Sequence, residues 1–146
     1  MMTGQVTARR EAVVGIRLRG VDGTELDVEA VLDTGFDDYL TLPAPLIAAL
    51  GLPQVESVSI VLGDGQVVRV AVHEARVRWN EAWRDIYVQE TGGDLLLGTN
   101  LLGSLVTLEV TDGGTVTIGE CPHSVGLAVL VPHEWRPFRE DSKGAA

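Results

Sequence analysis

The chain has 146 residues, which is the length of a single domain, and its hydrophobic content of 45% is ordinary for a globular protein. Its 21 acidic and 11 basic residues give a net charge of −10, so we expect no nucleic acid partner, because a phosphate-binding surface needs the opposite sign. The N-terminus lacks the apolar segment of a signal peptide, the apolar runs are too short to span a bilayer, and the lone Cys121 allows no disulfide within the chain. These features predict a cytoplasmic protein without a membrane partner.

In chain order, the sequence predicts short strands separated by glycine turns. Val14, Ile16 and Leu18 alternate with less apolar residues, which is the pattern of a half-buried strand, and a return strand follows the turn at Asp22-Gly23. After a loop that begins at Asp33, prolines 43 and 45 open a short helix that Gly51 ends. Further strands are predicted over residues 57–62, 66–72, 77–79, 83–88, 95–97, 106–110 and 115–118, with one helical turn over 100–104.

This order of elements predicts a mainly β domain, built as a small barrel or a sandwich, over residues 1–119. Residues 120–146 differ in composition, since they hold three of the six prolines and two of the three histidines. They are predicted to form a partly ordered C-terminal extension. Its apolar run, residues 126–131, is expected to pack on the barrel or across a dimer, because it would otherwise be exposed to water.

The most informative segment is Asp33-Thr34-Gly35, which follows the apolar pair Val31-Leu32. An apolar strand that leads directly into an acid favours a positioned carboxylate over a surface charge. The alternative is a turn aspartate that accepts a hydrogen bond from its own backbone. Two carboxylates about 3 Å apart share one proton and can act together as acid and base. The chain has one such segment, so a second copy of the chain would have to supply the other carboxylate.

The segment and a second motif resemble the retropepsin family, the single-lobed aspartic proteases that work as homodimers. The first match is to the family's Asp-Thr-Gly-Ala-Asp-Asp and the second to its apolar-apolar-Gly-Arg-Asn-Leu-Leu. The matching residues are Asp33-Thr34-Gly35-Phe36-Asp37-Asp38 and Leu96-Leu97-Gly98-Thr99-Asn100-Leu101-Leu102. The resemblance covers roughly residues 11–119 and is greatest to the bacterial retropepsin-like proteins. It implies a small closed β-barrel of the retropepsin (acid protease) type with one or two short helices.

The resemblance also implies roles for the residues of the first motif. Asp33 from each subunit would hold the attacking water, and Thr34 would donate a hydrogen bond across the dimer axis. Gly35 would let the substrate backbone approach closely, which a Cβ would block. Phe36 stands where many relatives have Ala or Ser. It adds apolar surface that disfavours charge on the catalytic carboxylate, and it is also a candidate for filling a specificity pocket.

Asp37 and Asp38 match family positions that bind the main chain of the substrate, although two solvated turn acids are an equal alternative. The family's Arg partner of Asp37 is replaced by Thr99, and another Arg, such as Arg9, Arg10 or Arg17, could compensate. A second substrate-binding element is the candidate flap tip, whose glycines would allow a hairpin to move over a ligand. That tip is Gly63-Asp64-Gly65, and the alternative is an ordinary turn.

The resulting hypothesis is a homodimeric aspartic endopeptidase that cleaves peptide or protein substrates and needs no metal or organic cofactor. Cys121, His123, His133 and Glu134 match no established zinc spacing, so no metal site is expected. One alternative is a non-catalytic dimeric peptide-binding module on the same fold. Another is a monomeric β-barrel that binds a small ligand and in which Asp33 is structural.

Overall fold

The computed structural model of the chain describes residues 2–103 and 106–120. Apart from its first residue, the predicted extension 120–146 therefore lies outside the described residues. So do the apolar run 126–131 and the four residues weighed as metal ligands, which are Cys121, His123, His133 and Glu134.

The described residues form ten strands and two helices. The strands are β1 (Met2–Val6), β2 (Ala12–Arg19), β3 (Glu25–Leu32), β4 (Leu40–Pro43), β5 (Gln54–Val61), β6 (Val67–Trp79), β7 (Ala82–Thr91), β8 (Leu96–Leu97), β9 (Val106–Val110) and β10 (Thr115–Glu120). The helices are α1 (Ala44–Leu50) and α2 (Thr99–Leu102).

Six strands form a partly closed ring. Their order is β6-β7-β4-β8-β3-β2, and β2 pairs again with β6 to close the ring. The weakest junction is between β4 and β8, where a single pair, Leu40 with Leu97, joins the strands. From β2 the sheet continues outward through β1 and β10 to β9, and β5 is the other edge strand. This architecture confirms the predicted mainly β barrel with short helices.

The core lies inside the ring and follows from the alternation of each strand. On β2, Val14, Ile16 and Leu18 are buried, while Gly15 and Arg17 are exposed. Burying one large aliphatic side chain contributes about 2 kcal/mol, so the inward-facing positions dominate the stability of the barrel. The ring strands and helices supply most of the other core residues, which include Leu40, Leu42, Ile47, Leu50, Val77, Val88, Leu97 and Leu101.

Helix α1 begins and ends as its sequence predicts. Pro45 lies in the first turn, where a missing backbone N–H costs nothing. Gly51 follows the last residue with φ of 60°, and its N–H bonds the carbonyl of Ala48. The helix buries Ile47 and Leu50 against the barrel.

Several elements differ from the prediction, among them β4, for which no strand was predicted. Strand β1 was not predicted, because Gly4 and Gln5 are poor strand formers; a Cβ on Gly4 would lie 2.1 Å from the carbonyl oxygen of Val13, so only glycine fits there. Residues 66–72 and 77–79 belong to one strand, β6, which is shared by two hairpins. The predicted strand 95–97 contains only two residues of β8, and the helical turn begins at Thr99 rather than at residue 100.

Candidate active site

The Asp33 loop begins where β3 leaves the ring. Strand β3 runs parallel to β8 and pairs Leu32 with Leu97. The backbone N–H of Asp33 then donates to the carbonyl of Leu97 at 3.0 Å. Because Leu97 is fully buried in the core, this hydrogen bond attaches the start of the Asp33 loop to the core.

The loop is a tight turn around the Asp33 side chain. The N–H of Gly35 donates to Asp33 Oδ1 at 2.9 Å, and the N–H of Phe36 donates to the Asp33 carbonyl at 3.1 Å. Asp33 therefore does accept a hydrogen bond from the backbone of its own turn, as the turn-aspartate alternative predicts. Within the described residues, Asp33 Oδ2 has no hydrogen-bond partner, and the side chain is only partly buried. One carboxylate oxygen is fixed by the turn, and the other is available to a ligand.

The second motif packs directly beneath this loop. A Cβ on Gly98 would lie 2.1 Å from the carbonyl oxygen of Asp38 and 2.6 Å from Cδ1 of Phe36. The N–H of Thr99 donates to the Phe36 carbonyl at 2.8 Å, and its Oγ1 donates to the same oxygen at 3.3 Å. The N–H of Asn100 bonds the Asp38 carbonyl. Thr99 thus holds the backbone of the loop.

Asp38 and Asp37 have different environments. Asp38 Oδ1 accepts the N–H of Tyr39 and Oδ2 accepts the side-chain amide of Gln89, both at 2.8 Å. Asp37 is exposed and has no ion pair with any described residue. Both oxygens of Asp38 are therefore occupied by the protein, whereas Asp37 faces solvent.

The three arginines considered as partners of Asp37 do not pair with it. Arg17 bonds Asp27 through a bidentate contact at 2.7 and 3.1 Å and lies 3.8 Å from Glu25. The hydrogen bond from Arg17 lowers the pKa of Asp27, and the same bond raises the pKa of Arg17. Arg9 and Arg10 are exposed and form no ion pair with a described residue.

The candidate flap tip closes a projecting hairpin. Residues 57–61 of β5 pair only with residues 67–71 of β6. Gly65 has φ of 85°, Asp64 Oδ1 accepts the N–H of Gln66, and the N–H of Leu62 donates to the Gln66 carbonyl. The backbone at the tip is exposed, and no hydrogen bond between described residues joins it to the Asp33 loop.

Comparison with solved structures identifies the fold. A retropepsin-like aspartic protease from Rickettsia conorii superposes with a TM-score of 0.55 at 15% identity, covering 80% of this chain and 89% of that chain. The chain has a retropepsin-like fold. EIAV protease, solved with the inhibitor HBY-793, aligns over 66% of this chain and 88% of its own, with 17% identity and a TM-score of 0.45. No protein-family model and no curated protein matches the sequence.

Two residues that support the site within this retropepsin-like fold were not predicted. Thr41 is buried on β4; its hydroxyl donates to the Asp94 carbonyl at 3.0 Å and accepts the N–H of Leu96 at 2.8 Å, which fixes the start of β8. Gln89 on β7 holds Asp38 from the other side. A polar residue on a strand usually faces solvent, so the sequence did not assign a supporting role to either residue, although Thr41 lies in the Leu40-Thr41-Leu42-Pro43 segment that resembles the bacterial proteins.

Two cavities of the described residues lie apart from Asp33. A cavity of about 360 Å³ lies beside Arg19, Glu74 and Tyr87, and another of about 350 Å³ lies beside Arg17 and Arg78; no residue of the 33–38 loop lines either one. The described residues contain no group of three or more His, Cys, Asp or Glu that could hold a metal ion. None of their helices has the length and apolar character needed to cross a membrane.

Proposed function

We propose that the protein is an aspartic endopeptidase whose catalytic pair is formed by Asp33 of two identical chains. The observation that carries this proposal is the geometry of Asp33. Its Oδ1 is fixed by the N–H of Gly35, while its Oδ2 has no partner among the described residues. The loop that presents it is held by Leu97 on one side and Thr99 on the other. A carboxylate held in this way is suited to a fixed role in proton transfer.

The proposed reaction needs a second carboxylate close to the first. The ionised Asp33 takes a proton from water, and the water oxygen forms a bond to the scissile carbonyl carbon. The protonated Asp33 of the other chain donates to the developing oxyanion. The amide nitrogen then takes from the first Asp33 the proton that came from water, and the C–N bond breaks. One hydroxyl of the tetrahedral intermediate returns its proton to the other Asp33 as the carbonyl group forms again. The pair ends with one shared proton, as it began.

A two-fold axis supplies the second carboxylate without a second motif. An interface of this symmetry brings the same patch of each chain together, so a single exposed loop is duplicated across the axis. Thr34 and Gly35 are both exposed in the single chain, as such a contact requires. The retropepsin-like fold supports this arrangement. We therefore expect Asp33 to lie on the axis of a homodimer.

The substrate would lie between the Asp33 loops and the β5–β6 hairpins. The exposed tip residues Gly63, Asp64 and Gly65 would cover it, and Asp37 has a free carboxylate for its main chain. Asp38 would contribute through the position of its loop, because Gln89 and Tyr39 already occupy its oxygens. Phe36 is half-buried beside Gly98 and would contribute the apolar edge of the site.

The test is cleavage of a denatured protein mixture by the wild-type protein and by Asp33→Asn. The asparagine oxygen can still accept the N–H of Gly35, so the turn is preserved while the acid–base pair is lost. We expect the cleavage rate to fall about a thousandfold. The matched control is Asp22→Asn, because Asp22 Oδ1 accepts the N–H of Thr24 at 2.9 Å in the same i to i+2 pattern. The control should cleave at the wild-type rate.

A second candidate function is a dimeric module that binds peptides without cleaving them. It is favoured by Asp37, which has no ion pair among the described residues, and by Thr99 at the family's Arg position. Under this alternative, the wild-type protein and Asp33→Asn would bind denatured protein with equal affinity, and neither would cleave it. Equal cleavage by both proteins would contradict the role of Asp33 under either function.

A further inference from the structure

His73 is a buried polar residue at the root of the β5–β6 hairpin. It is only 7% exposed and lies on β6, where it pairs with Gln54 of β5 and Val88 of β7. Val72 is the last residue of β6 on the tip side that pairs with β7. From residue 71 toward the tip, β6 pairs with β5 alone. His73 therefore stands where the hairpin leaves the barrel.

The hydrogen bond of one ring nitrogen determines what the other nitrogen can do. His73 Nδ1 lies 3.2 Å from the carbonyl oxygen of Leu52. A carbonyl can only accept, so Nδ1 carries the hydrogen. In the neutral ring Nε2 is then an acceptor, and it is buried without a hydrogen-bond partner among the described residues. A buried acceptor without a donor costs free energy.

The nearest charged atom to Nε2 is also an acceptor. Glu90 Oε2 lies 3.8 Å away, and the Glu90 side chain is 39% exposed. Two acceptors face each other without a hydrogen between them. One added proton would allow Nε2–H to donate to the carboxylate, which would satisfy both atoms in a charge-assisted hydrogen bond.

The other ionisable residues around His73 lie apart from this contact. Glu74 is adjacent on β6 but is exposed on the opposite face, where it pairs with Tyr87, which is also exposed. Glu56 of β5 is exposed beyond the bulge. Helix α1, which precedes the Leu52 carbonyl, has no acidic residue in its first turn and no basic residue in its last. Among the described residues, only Glu90 lies within ion-pair distance of His73.

We propose that His73 and Glu90 are positioning residues that fix the root of the β5–β6 hairpin when the pair holds one proton and loosen it when that proton is lost. The proton joins β6 to β7 through Nε2, while Nδ1 keeps the segment before β5 attached through Leu52. The hairpin would be held firmly in mild acid and would move more freely as pH rises. In the charged state the buried imidazolium is paired with the carboxylate, as a buried charge requires.

The pair is also close in the chain to the candidate active site. Gln89, the neighbour of Glu90 on β7, donates to Asp38. Two neighbouring residues of β7 therefore face different parts of the molecule. Glu90 lies beside His73 at the hairpin root, and Gln89 contacts Asp38 in the candidate active-site loop. The consequence for catalysis rests on the proposed peptidase function: the hairpin would be ordered over the substrate in the acidic range in which two carboxylates share a proton.

The test is backbone hydrogen exchange by mass spectrometry at pH 5.5 and pH 7.5, corrected for the intrinsic exchange rate. The relevant amides are those of the hairpin root, including Glu74, whose N–H donates to the Pro53 carbonyl at 3.1 Å. In the wild-type protein we expect about fivefold slower exchange at the lower pH, as one added hydrogen bond would give. Glu90→Gln should remove this pH dependence, because its amide can donate to the neutral ring. Glu74→Gln is the matched control and should keep it.

Circular dichroism of each variant establishes that it is folded. Equal protection of the root at both pH values in the wild-type protein, or an unchanged pH dependence in Glu90→Gln, would overturn the proposal. The exchange experiment uses no substrate, so it does not depend on peptidase activity. Loss of cleavage in Asp33→Asn tests the proposed function separately, since that variant should keep the pH dependence at the root.

Discussion

At the scale of single residues, Gly98 determines how closely the two motif segments of the candidate site approach each other. Its Cα faces the carbonyl oxygens of Asp38 and Phe36, and a Cβ would lie 2.1 and 2.7 Å from them. Both obstacles are backbone atoms, so they cannot rotate away as a side chain would. The loop of residues 33–38 therefore packs against the segment that follows β8 only because position 98 has no side chain.

We expect Gly98→Ala to destabilise the fold by about 3 kcal/mol, because the loop of residues 36–38 must move to relieve the overlap. Urea unfolding measures the change. The control is Gly15→Ala on β2, where a Cβ would meet nothing within 4 Å. Gly15→Ala should be neutral or slightly stabilising. Equal effects of the two substitutions would contradict the tight packing at Gly98.

Gln89 stabilises the same loop through a single hydrogen bond to Asp38. Its amide is the hydrogen-bond donor to Asp38 Oδ2, and Asp38 is partly buried. We expect Gln89→Ala to cost about 2 kcal/mol, since a carboxylate would lose a side-chain donor. The control is Gln66→Ala at the exposed hairpin tip, which should change the free energy of unfolding by less than about 0.5 kcal/mol. Thermal unfolding of both variants measures these changes. If Gln89→Ala were no more destabilising than Gln66→Ala, the hydrogen bond to Asp38 would not contribute to stability.

At the scale of elements, the β2–β3 hairpin carries a charge ladder on its outer face. Arg17 pairs with Asp27, and Arg19 pairs with Glu25 while its guanidinium stacks 4.0 Å above the ring of Trp83. These residues face each other across the strands, as cross-strand pairs do. The hydrogen bond from Arg17 holds the pKa of Asp27 below its ordinary value.

Because the pKa of Asp27 is lowered in the folded state, the direction in which its contribution to stability changes with pH is determined. The stabilisation from Asp27 is present above its unfolded pKa and is lost as pH falls through the lower folded pKa. We expect the stability difference between wild type and Asp27→Asn to be constant near neutral pH and to shrink below about pH 4. The difference should be small and salt-sensitive, because the pair is exposed.

Urea midpoints at pH 7 and pH 3 measure this difference. Glu29→Gln is the control, since Glu29 lies on the same strand, is exposed and has no ion pair with a described residue. A difference that grows on acidification would contradict the contribution of Arg17.

The elements also separate what the sequence could predict from what it could not. Strand β2 and helix α1 were predicted because alternation, prolines and Gly51 are local signals. Strand β1 depends on pairing with β10, at the other end of the described chain, so no local pattern marks it. The two motifs marked the loop around Asp33 and the segment around Gly98, which the structure brings into contact. The contacts of Gln89 and Thr41 join residues 51 to 55 positions apart, and such contacts require the folded topology.

At the scale of the whole molecule, the barrel presents its candidate catalytic acid, Asp33, on a turn whose next two residues, Thr34 and Gly35, are exposed. The two cavities beside Arg19 and Arg78 belong to other surfaces. Under the proposed function, a single chain offers one carboxylate and one side of a substrate groove. The second side would come from another copy, which would make activity a property of the pair of chains.

This dependence on two chains predicts the outcome of a mixing experiment. If each active site contains Asp33 from both chains, a mixed dimer with Asp33→Asn has one carboxylate and is inactive. A roughly tenfold excess of Asp33→Asn, equilibrated with the wild-type protein, should leave about a tenth of the original activity, because subunits pair at random across a two-fold interface. The same excess of Asp22→Asn should add activity, since its catalytic pair is intact. Light scattering at micromolar concentration should give the mass of a dimer in each case. Unchanged activity in the first mixture, after confirmed subunit exchange, would mean that one chain acts alone and that Asp33 does not lie on a shared axis.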